Sequence, residues 1–301
     1  MIPRWADSTT TSGDLDIRLL IIGGSSCVGR NLIEAAPRSW DIRASYCNSP
    51  SFEAFAKGFP NTEAFHLDLI DPPIDMDLGS PDVVLYLSGV APGRTADDVP
   101  LQLHAFGVNK VVTALQGIEK FIYLSSGVVY LKDNRSAYRI SRALGEANVL
   151  GNALEKGFGY IILRNMEMYG RYMPEHKIYR KLAEACLRGD REFRITGDGL
   201  NLLDTMHVRD YTEGLIKVIE SDVTNEVVDY CKGTPVTLRD LAATIAEVFN
   251  HSELHVVYNE ESPTEDVRLR LSDRRMRELF DFAPRIGLEE GLGIWKREGL
   301  L

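Results

Sequence analysis

A serine, a tyrosine and an arginine lie at spacings that suit proton transfer. Ser126 ends the apolar run "KFIYLSS". Tyr138 lies twelve residues later, near the start of the helix-periodic segment "SAYRISRALGE". Arg142 comes four residues after Tyr138, so a helix would place both side chains on one face. A neighbouring cation stabilises a phenolate, and such a phenol exchanges a proton with a substrate hydroxyl or carbonyl. We therefore predict that Ser126, Tyr138 and Arg142 are catalytic.

A second candidate site lies in "LLIIGGSSCVGRNL", where an apolar run is followed by two glycines, two serines and a helix-periodic segment. Gly23, Ser26 and Gly29 occupy the three positions of a G-x-x-G-x-x-G turn, with serine at the middle one. Such a turn lets the backbone approach a pyrophosphate and presents N–H groups to it. The pattern predicts a dinucleotide-binding turn, although tight strand-to-helix turns also use glycine for structural reasons alone.

The end of the second predicted strand, "DIRASYCNSPS", bears on which dinucleotide binds. An Asp or Glu usually binds the ribose 2′-OH there, but Tyr46 stands near that place and no acid follows in this stretch. Because a carboxylate would repel a 2′-phosphate, its absence favours NADP over NAD. Candidates for the phosphate are Arg30, Arg43, Asn48 and Ser49. For Arg43, a solvated position on the strand is the alternative interpretation.

Short apolar runs alternate with helix-periodic segments through the first half of the chain. The predicted strands are Arg18–Ile22, Ile42–Tyr46, Ala64–Leu67, Val83–Leu87, Phe121–Leu124 and Tyr160–Leu163. Between them, apolar spacing predicts helices over Leu101–Leu115 and Ala137–Leu154, and Gly157 is expected to end the second of these. The alternation predicts an α/β fold, a Rossmann-type doubly wound parallel sheet with helices on both faces.

After Asn165 the periodicity weakens, which predicts a smaller C-terminal α/β portion. Two helix starts can be read there. Asp210, within "HVRDY", and Thr237, before "LRDLAATIAEVFN", are each expected to cap the helix that follows.

Composition excludes several classes of protein. The 301 residues carry a net charge of −10, and because phosphate binding needs clustered Lys and Arg, we expect no nucleic-acid partner. No apolar run approaches the ~18 residues of a membrane span, so we predict a cytoplasmic protein without a membrane partner. Four widely spaced cysteines indicate reduced thiols and no metal site. Residues 1–16 lack the apolar region of a secretory signal and are predicted as a disordered leader.

Several motifs, in order, resemble the extended short-chain dehydrogenases/reductases, the group that includes nucleotide-sugar epimerases and dehydratases. "FIYLSSGVVY" resembles the serine strand of that family, and "YRISR" stands at its Y-x-x-x-K. "YIILRNMEMYG" and "ITGDGLNLLDTMHVRDYTEGLIKVI" resemble two later family segments. The resemblance extends from Arg18 to Leu292.

The resemblance implies an NAD- or NADP-dependent epimerase, dehydratase or reductase with a nucleotide-sugar-like or other polyhydroxylated substrate. It also implies a homodimer formed by the helices at Leu101–Leu115 and Ala137–Leu154. The expected organisation is a cofactor domain over residues 17–164 and a mainly substrate-binding portion over 165–301. The expected cofactor contacts are Gly23, Ser25, Ser26, Cys27, Val28, Gly29, Arg30, Tyr46, Asn48, Asp68, Leu69, Leu87, Ser88, Gly89, Tyr138 and Arg142. The expected substrate contacts are Ser126, Glu167, Arg171 and Arg268.

The chain departs from this family at several positions. Arg142 replaces a lysine, keeping its charge on a bulkier planar head, and His104 stands where the family has a helix asparagine. Glu167 and Leu203 replace an asparagine and an arginine that contact the substrate, which argues against an ordinary nucleotide sugar. These departures leave open a second interpretation, a nucleotide-binding or regulatory protein of this fold without turnover.

Overall fold

The computed structural model describes residues 16–91, 95–96, 98–131, 135–259 and 268–299. All but the last residue of the predicted leader lie outside these ranges. The described chain divides into two units, one running to Arg164 together with Leu215–Val228, the other containing Asn165–Gly214 and the residues from Asp229 onward. The predicted division at residue 164 therefore differs from the structure in that Leu215–Val228 belongs to the first unit.

Strands and helices alternate along the chain. The elements up to residue 165 are β1 (Arg18–Ile22), α1 (Cys27–Ala35), β2 (Asp41–Tyr46), α2 (Ser51–Ala56), β3 (Thr62–His66), β4 (Val83–Tyr86), α3 (Asp98–Pro100), a π-helical segment (Leu101–Phe106), α4 (Gly107–Ala114), β5 (Lys120–Ser126), a 3-10 turn (Gly127–Tyr130), α5 (Ala137–Lys156) and β6 (Gly159–Asn165). The later elements are β7 (Glu167–Tyr169), α6 (Ile178–Arg188), β8 (Glu192–Thr196), β9 (Leu202–Leu203), β10 (Thr205–His207), α7 (Val208–Glu220), β11 (Glu226–Tyr230), β12 (Val236–Thr237), α8 (Leu238–Val248), β13 (His255–Asn259), α9 (Arg274–Phe280) and α10 (Leu288–Glu298).

A seven-stranded sheet with the order β11-β6-β5-β4-β1-β2-β3 forms the centre of the first unit. β1 pairs in parallel with β2 and β4, and the pairs β2–β3 and β4–β5 are parallel as well. Leu19–Ile22 are fully buried, which explains why β1 is a continuous apolar run rather than an alternating one. The strand order reverses between β1 and β4, the position where such folds bind ligands. The predicted Rossmann-type α/β fold is confirmed.

Helix α5 carries two of the predicted catalytic residues. Ser136 caps its amino end by accepting a hydrogen bond from the Arg139 N–H (3.3 Å). Gly157 ends it in the left-handed conformation, as predicted (φ 78°). The Asn148 amide donates to the Ala105 carbonyl (2.9 Å), which holds α5 against the π-helical segment. α5 is therefore fixed at both ends and along its length.

Lys120, the first residue of β5, is buried and anchors the end of α7. Its Nζ donates to the carbonyls of Val218 (3.0 Å), Ile219 (2.8 Å) and Ser221 (2.5 Å). The last carbonyls of a helix have no intrahelical donor, and a cation there stabilises them. Burial lowers the pKa of Lys120 to about 8.

The second unit packs α6, α8 and α10 around its own core, whose largest fully buried side chain is Trp295. Thr237 caps α8 as predicted, in a reciprocal capping box with Asp240. The prediction for Asp210 is wrong, because this residue lies within the first turn of α7. Its carboxylate accepts hydrogen bonds from the backbone N–H groups of Arg285 (2.8 Å) and Ile286 (2.7 Å). None of the helices in the described ranges has the length and apolar character needed to cross a bilayer.

Candidate active site

The glycine turn after β1 is shaped by two close approaches. Gly23 has φ +90°, and a Cβ at this position would lie 2.9 Å from the Ser88 backbone nitrogen. A Cβ on Gly29 would lie 2.3 Å from the Gly24 carbonyl oxygen. The Ser26 hydroxyl accepts a hydrogen bond from the Gly29 N–H (3.1 Å) and so caps α1. The turn directs the positive end of α1 toward the ends of β1 and β4, where it favours an anion.

A cavity of about 390 Å³ opens beside this turn, within the usual size range of small-molecule sites. The predicted cofactor residues that line it are Gly23, Ser25, Ser26, Tyr46, Asn48, Asp68, Leu69, Leu87, Ser88 and Gly89. The other predicted cofactor residues, which lie outside this lining, are Cys27, Val28, Gly29, Arg30, Tyr138 and Arg142. The glycine turn, the amino end of α1 and the polar residues that line the cavity together fit a dinucleotide.

An acid does reach the end of β2, although it does not follow the strand directly. The Tyr46 hydroxyl donates a hydrogen bond to the carboxylate of Glu53, in α2, and this bond raises the pKa of Tyr46. Tyr46 packs against Phe52 and His66, with ring centres 5.8 and 5.7 Å away. Sequence analysis missed Glu53. The available signal was the aromatic pattern of "SFEAF", which packs α2 back on the strand end.

Arg43 takes neither of its predicted roles. Its side chain is 2% exposed, 3.4 Å from the Glu63 carboxylate, and it donates to the Leu78 carbonyl (3.3 Å). Burial lowers its pKa. Arg43 is therefore a buried, paired residue of the sheet, and is neither a phosphate contact nor a solvated strand residue.

Arg30 lies at the start of α1, beside the glycine turn. Its guanidinium carbon is 4.8 Å from the centre of the Phe55 ring and 5.2 Å from that of Phe52, both in α2. Its Nε donates to the Ser25 carbonyl (3.2 Å). These contacts hold the cation between α1 and α2.

The three predicted catalytic residues lie on β5 and α5 of the first unit. Ser126 ends β5, and its buried hydroxyl accepts from the Val128 N–H (3.4 Å) of the following turn. The Arg142 guanidinium carbon is 5.4 Å from the centre of the Tyr138 ring. Its Nη1 donates to the Leu124 carbonyl of β5 (2.8 Å). The cation is thereby fixed beside the phenol by the strand that carries Ser126.

His104, in the π-helical segment, connects the cavity wall to α5. Its Nε2 accepts from the Val90 N–H (3.0 Å), and its Nδ1 faces the Ser141 hydroxyl (2.8 Å). Because Ser141 donates its own hydrogen to the Tyr138 carbonyl (2.8 Å), we assign the ring hydrogen to Nδ1. Burial and the nearby Arg142 charge lower the pKa of His104 to about 2. This neutral histidine positions the first turn of α5.

Behind the serine strand lies an ion pair that sequence analysis did not single out. Glu146 is buried, and it accepts hydrogen bonds from the Ser125 hydroxyl (2.5 Å) and twice from Arg164 (3.0 and 2.6 Å). The Arg164 guanidinium carbon also lies 4.7 Å from the centre of the Tyr130 ring. These contacts join β5, α5 and β6 behind Ser126.

The predicted substrate residues of the second unit have separate partners. The Glu167 carboxylate is 3.1 Å from Lys177 Nζ, and the Arg171 guanidinium carbon is 4.8 Å from the centre of the Tyr172 ring. Arg268 is 56% exposed, and its guanidinium lies 3.9 Å from the Asp198 carboxylate. The roles expected of Glu167, Arg171 and Arg268 stay predictions.

Comparisons with known proteins indicate the family to which the chain belongs. Residues 19–230 match the NAD dependent epimerase/dehydratase family. The chain is 24% identical to a dTDP-glucose 4,6-dehydratase of Streptomyces griseus over 267 residues, 82% of this chain and 80% of that protein. It is similar to a tyrosine-to-phenylalanine mutant of the Bacillus cereus UDP-glucuronic acid 4-epimerase, solved with a fluorinated UDP-sugar and NAD (TM-score 0.84, 16% identity, 95% of this chain, 100% of that chain).

A second solved structure with this fold is the UDP-glucose 4-epimerase of Thermotoga maritima, solved with UDP-glucose (TM-score 0.80, 21% identity, 95% of this chain, 100% of that chain). The chain belongs to the NAD dependent epimerase/dehydratase family of enzymes. This confirms the family resemblance and the prediction of an enzyme. The alternative of a regulatory protein without turnover gains no support.

Proposed function

We propose that the protein is an NAD-dependent epimerase or dehydratase of a nucleotide-sugar-like substrate. One observation carries the proposal: the fixed Tyr138–Arg142 pair adjoins the cavity beside the glycine turn. A Cβ on Gly89, which lines the cavity, would lie 2.9 Å from an Arg142 guanidinium nitrogen. The dehydratase and the epimerases to which the chain is similar are named after nucleotide-sugar substrates, which supports this class of substrate.

NAD, once bound, would supply reversible hydride transfer to and from a sugar carbon. The backbone around Gly23 and Ser26 and the amino end of α1 would hold its pyrophosphate. The cavity residues between β1, β2 and β4 would hold its adenosine end. NAD is proposed instead of the expected NADP for two reasons: Arg43, one of the four phosphate candidates, is buried, and Glu53 brings an acid to the end of β2.

Each catalytic residue has a distinct proposed role. Ser126 binds the reacting oxygen through its hydroxyl, and Tyr138 is the general acid and base that exchanges a proton with that oxygen. The Arg142 guanidinium does not lose its proton in proteins, so it stabilises the tyrosinate without relaying a proton itself. Its hydrogen bond to the Leu124 carbonyl keeps the charge in place.

The proposal is tested by incubating the purified protein with NAD and, separately, with dTDP-glucose, UDP-glucose and UDP-glucuronic acid. NMR then distinguishes an epimerised sugar from a dehydrated keto sugar. The expected result is conversion of a nucleotide sugar by the wild type and none by Tyr138→Phe. Equal conversion by both proteins contradicts the relay, and bound NAD with no conversion of any nucleotide sugar favours the regulatory alternative.

A homodimer is part of the proposal. α5 presents four apolar side chains that are at least 37% exposed, namely Ile140, Leu144, Leu150 and Leu154. Apolar side chains aligned on one helix are typical of a contact surface. The cytoplasmic location stays a prediction from the sequence.

A further inference from the structure

Tyr46, a residue that lines the cavity, already donates its hydroxyl hydrogen within the protein. A phenol has one hydrogen to donate and lone pairs that accept. Tyr46 lines the cavity at the end of β2, and its hydrogen is committed to the Glu53 carboxylate. The oxygen therefore offers only its lone pairs to a ligand. The raised pKa of Tyr46 agrees with a proton that stays on the phenol.

The charges around the Tyr46 oxygen are unfavourable for a 2′-phosphate. Among the described residues that line the cavity there is an aspartate, Asp68, but no lysine or arginine. Glu53 adds a carboxylate behind Tyr46, and Arg43 is engaged with Glu63 inside the sheet. Arg30 lies outside the lining, held by the ring contacts and the carbonyl described above.

We propose that Tyr46 and Glu53 together select NAD over NADP by accepting a hydrogen bond from the adenosine ribose 2′-OH. A 2′-OH can donate to the Tyr46 oxygen, and the carboxylate behind it strengthens that bond by polarising the phenol. A 2′-phosphate has acceptor oxygens and a charge of about −1.5 to −2, so it meets lone pairs and a second negative charge. The inference rests on the proposed binding of a dinucleotide in this cavity.

The test is the direct binding of NAD⁺ and NADP⁺ to the cofactor-free protein, measured by isothermal titration calorimetry at fixed salt. We expect the wild type to bind NAD⁺ at least about tenfold more tightly, since the 2′-OH gains a hydrogen bond to Tyr46 whereas the 2′-phosphate meets lone pairs and the carboxylates of Glu53 and Asp68. In Glu53→Gln the ratio of the two dissociation constants should fall to within about threefold. In Tyr46→Phe, NAD⁺ binding should weaken by about three- to tenfold.

Two further variants make the result specific. Glu119→Gln removes an exposed carboxylate that precedes β5, at the opposite end of the sheet from the cavity, and should leave both affinities unchanged. Arg30→Met should retain the preference for NAD⁺. Melting curves establish that each variant is folded.

The outcomes separate the two proposals. Binding of neither nucleotide to the wild type overturns the proposed function and this inference with it. Binding of NAD⁺ with an unchanged ratio in Glu53→Gln overturns the inference alone. A wild-type preference for NADP⁺ that disappears in Arg30→Met also overturns it, because the arginine would then be the selecting residue.

Discussion

Tyr138 and Arg142 lie one turn apart on α5, with 5.4 Å between the phenol ring centre and the guanidinium carbon. The arginine is held from the other side by the Leu124 carbonyl at 2.8 Å. A planar guanidinium in the lysine position of this family thus remains beside the phenol, because β5 supplies an acceptor for it. The exchange of lysine for arginine therefore keeps a positive charge beside Tyr138.

This relationship predicts how substitutions at the pair affect turnover. Tyr138→Phe should lower kcat by about 10²- to 10⁴-fold, the usual contribution of a general acid–base, while NAD binding persists. Arg142→Met should also lower kcat, because a tyrosinate loses its stabilising charge, and Arg142→Lys should retain much of the activity. Initial rates and NAD titrations measure both effects. A wild-type kcat in Arg142→Met would contradict the electrostatic role.

Buried neutral histidines predict a loss of stability in acid. Burial lowers the pKa of His104 to about 2 and that of His207 to about 4. Both values lie below the value of about 6.5 in an unfolded chain, so the unfolded state binds more protons between these pH values. The free energy of unfolding should therefore fall as the pH drops below about 6.5, by up to ~1.4 kcal/mol per pH unit for each such histidine.

Urea unfolding at pH 7.5, 6, 5 and 4 checks this prediction. His104→Gln should make the acid slope shallower, since glutamine does not titrate and can still accept from the Val90 N–H. His255→Gln changes an exposed histidine and is the control with an unchanged slope. The prediction fails if the slope is the same in all three proteins.

Substitution of Lys120, which lies away from the cavity, should lower the free energy of unfolding substantially. Lys120→Met keeps most of the apolar stem but removes the donor of the Val218, Ile219 and Ser221 carbonyls. A buried acceptor without a donor costs about 1–3 kcal/mol. Because the substitution also removes a charge that is desolvated by burial, we expect a smaller total loss than three such costs, roughly 2–4 kcal/mol. Lys57→Met, at an exposed lysine, should change the free energy of unfolding by less than about 0.5 kcal/mol. A similar small change for both variants would exclude the anchoring role.

The glycine turn predicts a contrast between two glycine-to-alanine changes. Gly29→Ala places a Cβ 2.3 Å from the Gly24 carbonyl oxygen, so the turn must move, and both stability and NAD affinity should fall. Gly151→Ala, within α5, meets no atom within 4 Å and should be neutral or stabilise by up to about 1 kcal/mol. Thermal unfolding and NAD titration of both variants check the contrast. Wild-type NAD affinity in Gly29→Ala would contradict the assignment of the turn.

The exposed apolar face of α5 predicts self-association. Light scattering at micromolar concentration should give the mass of a dimer for the wild type. Leu150→Glu together with Leu154→Glu should give a monomer, because charges at an apolar contact are left desolvated. Glu155→Gln, at an exposed residue, should leave the dimer intact, and a monomeric wild type would refute the prediction.

Local patterns in the sequence were sufficient for much of this protein. The strand Arg18–Ile22 was predicted with its observed bounds, and Gly157 and Thr237 end and begin the helices expected of them. The juxtaposition of Tyr138 and Arg142 also follows from their spacing. Each of these features depends on residues a few positions apart, which share a strand, a cap or a helical turn whatever the rest of the chain does.

Features that depend on distant partners were decided only by the tertiary structure. Glu53 approaches Tyr46 because α2 packs back on the end of β2, and the burial of Arg43 beside Glu63 follows from the place of β2 between β1 and β3. The carboxylate of Asp210 caps backbone groups 75 and 76 residues away rather than its own helix. A polar side chain takes whichever partner the packed fold brings within hydrogen-bond distance, because leaving it buried without one costs more than any local preference contributes.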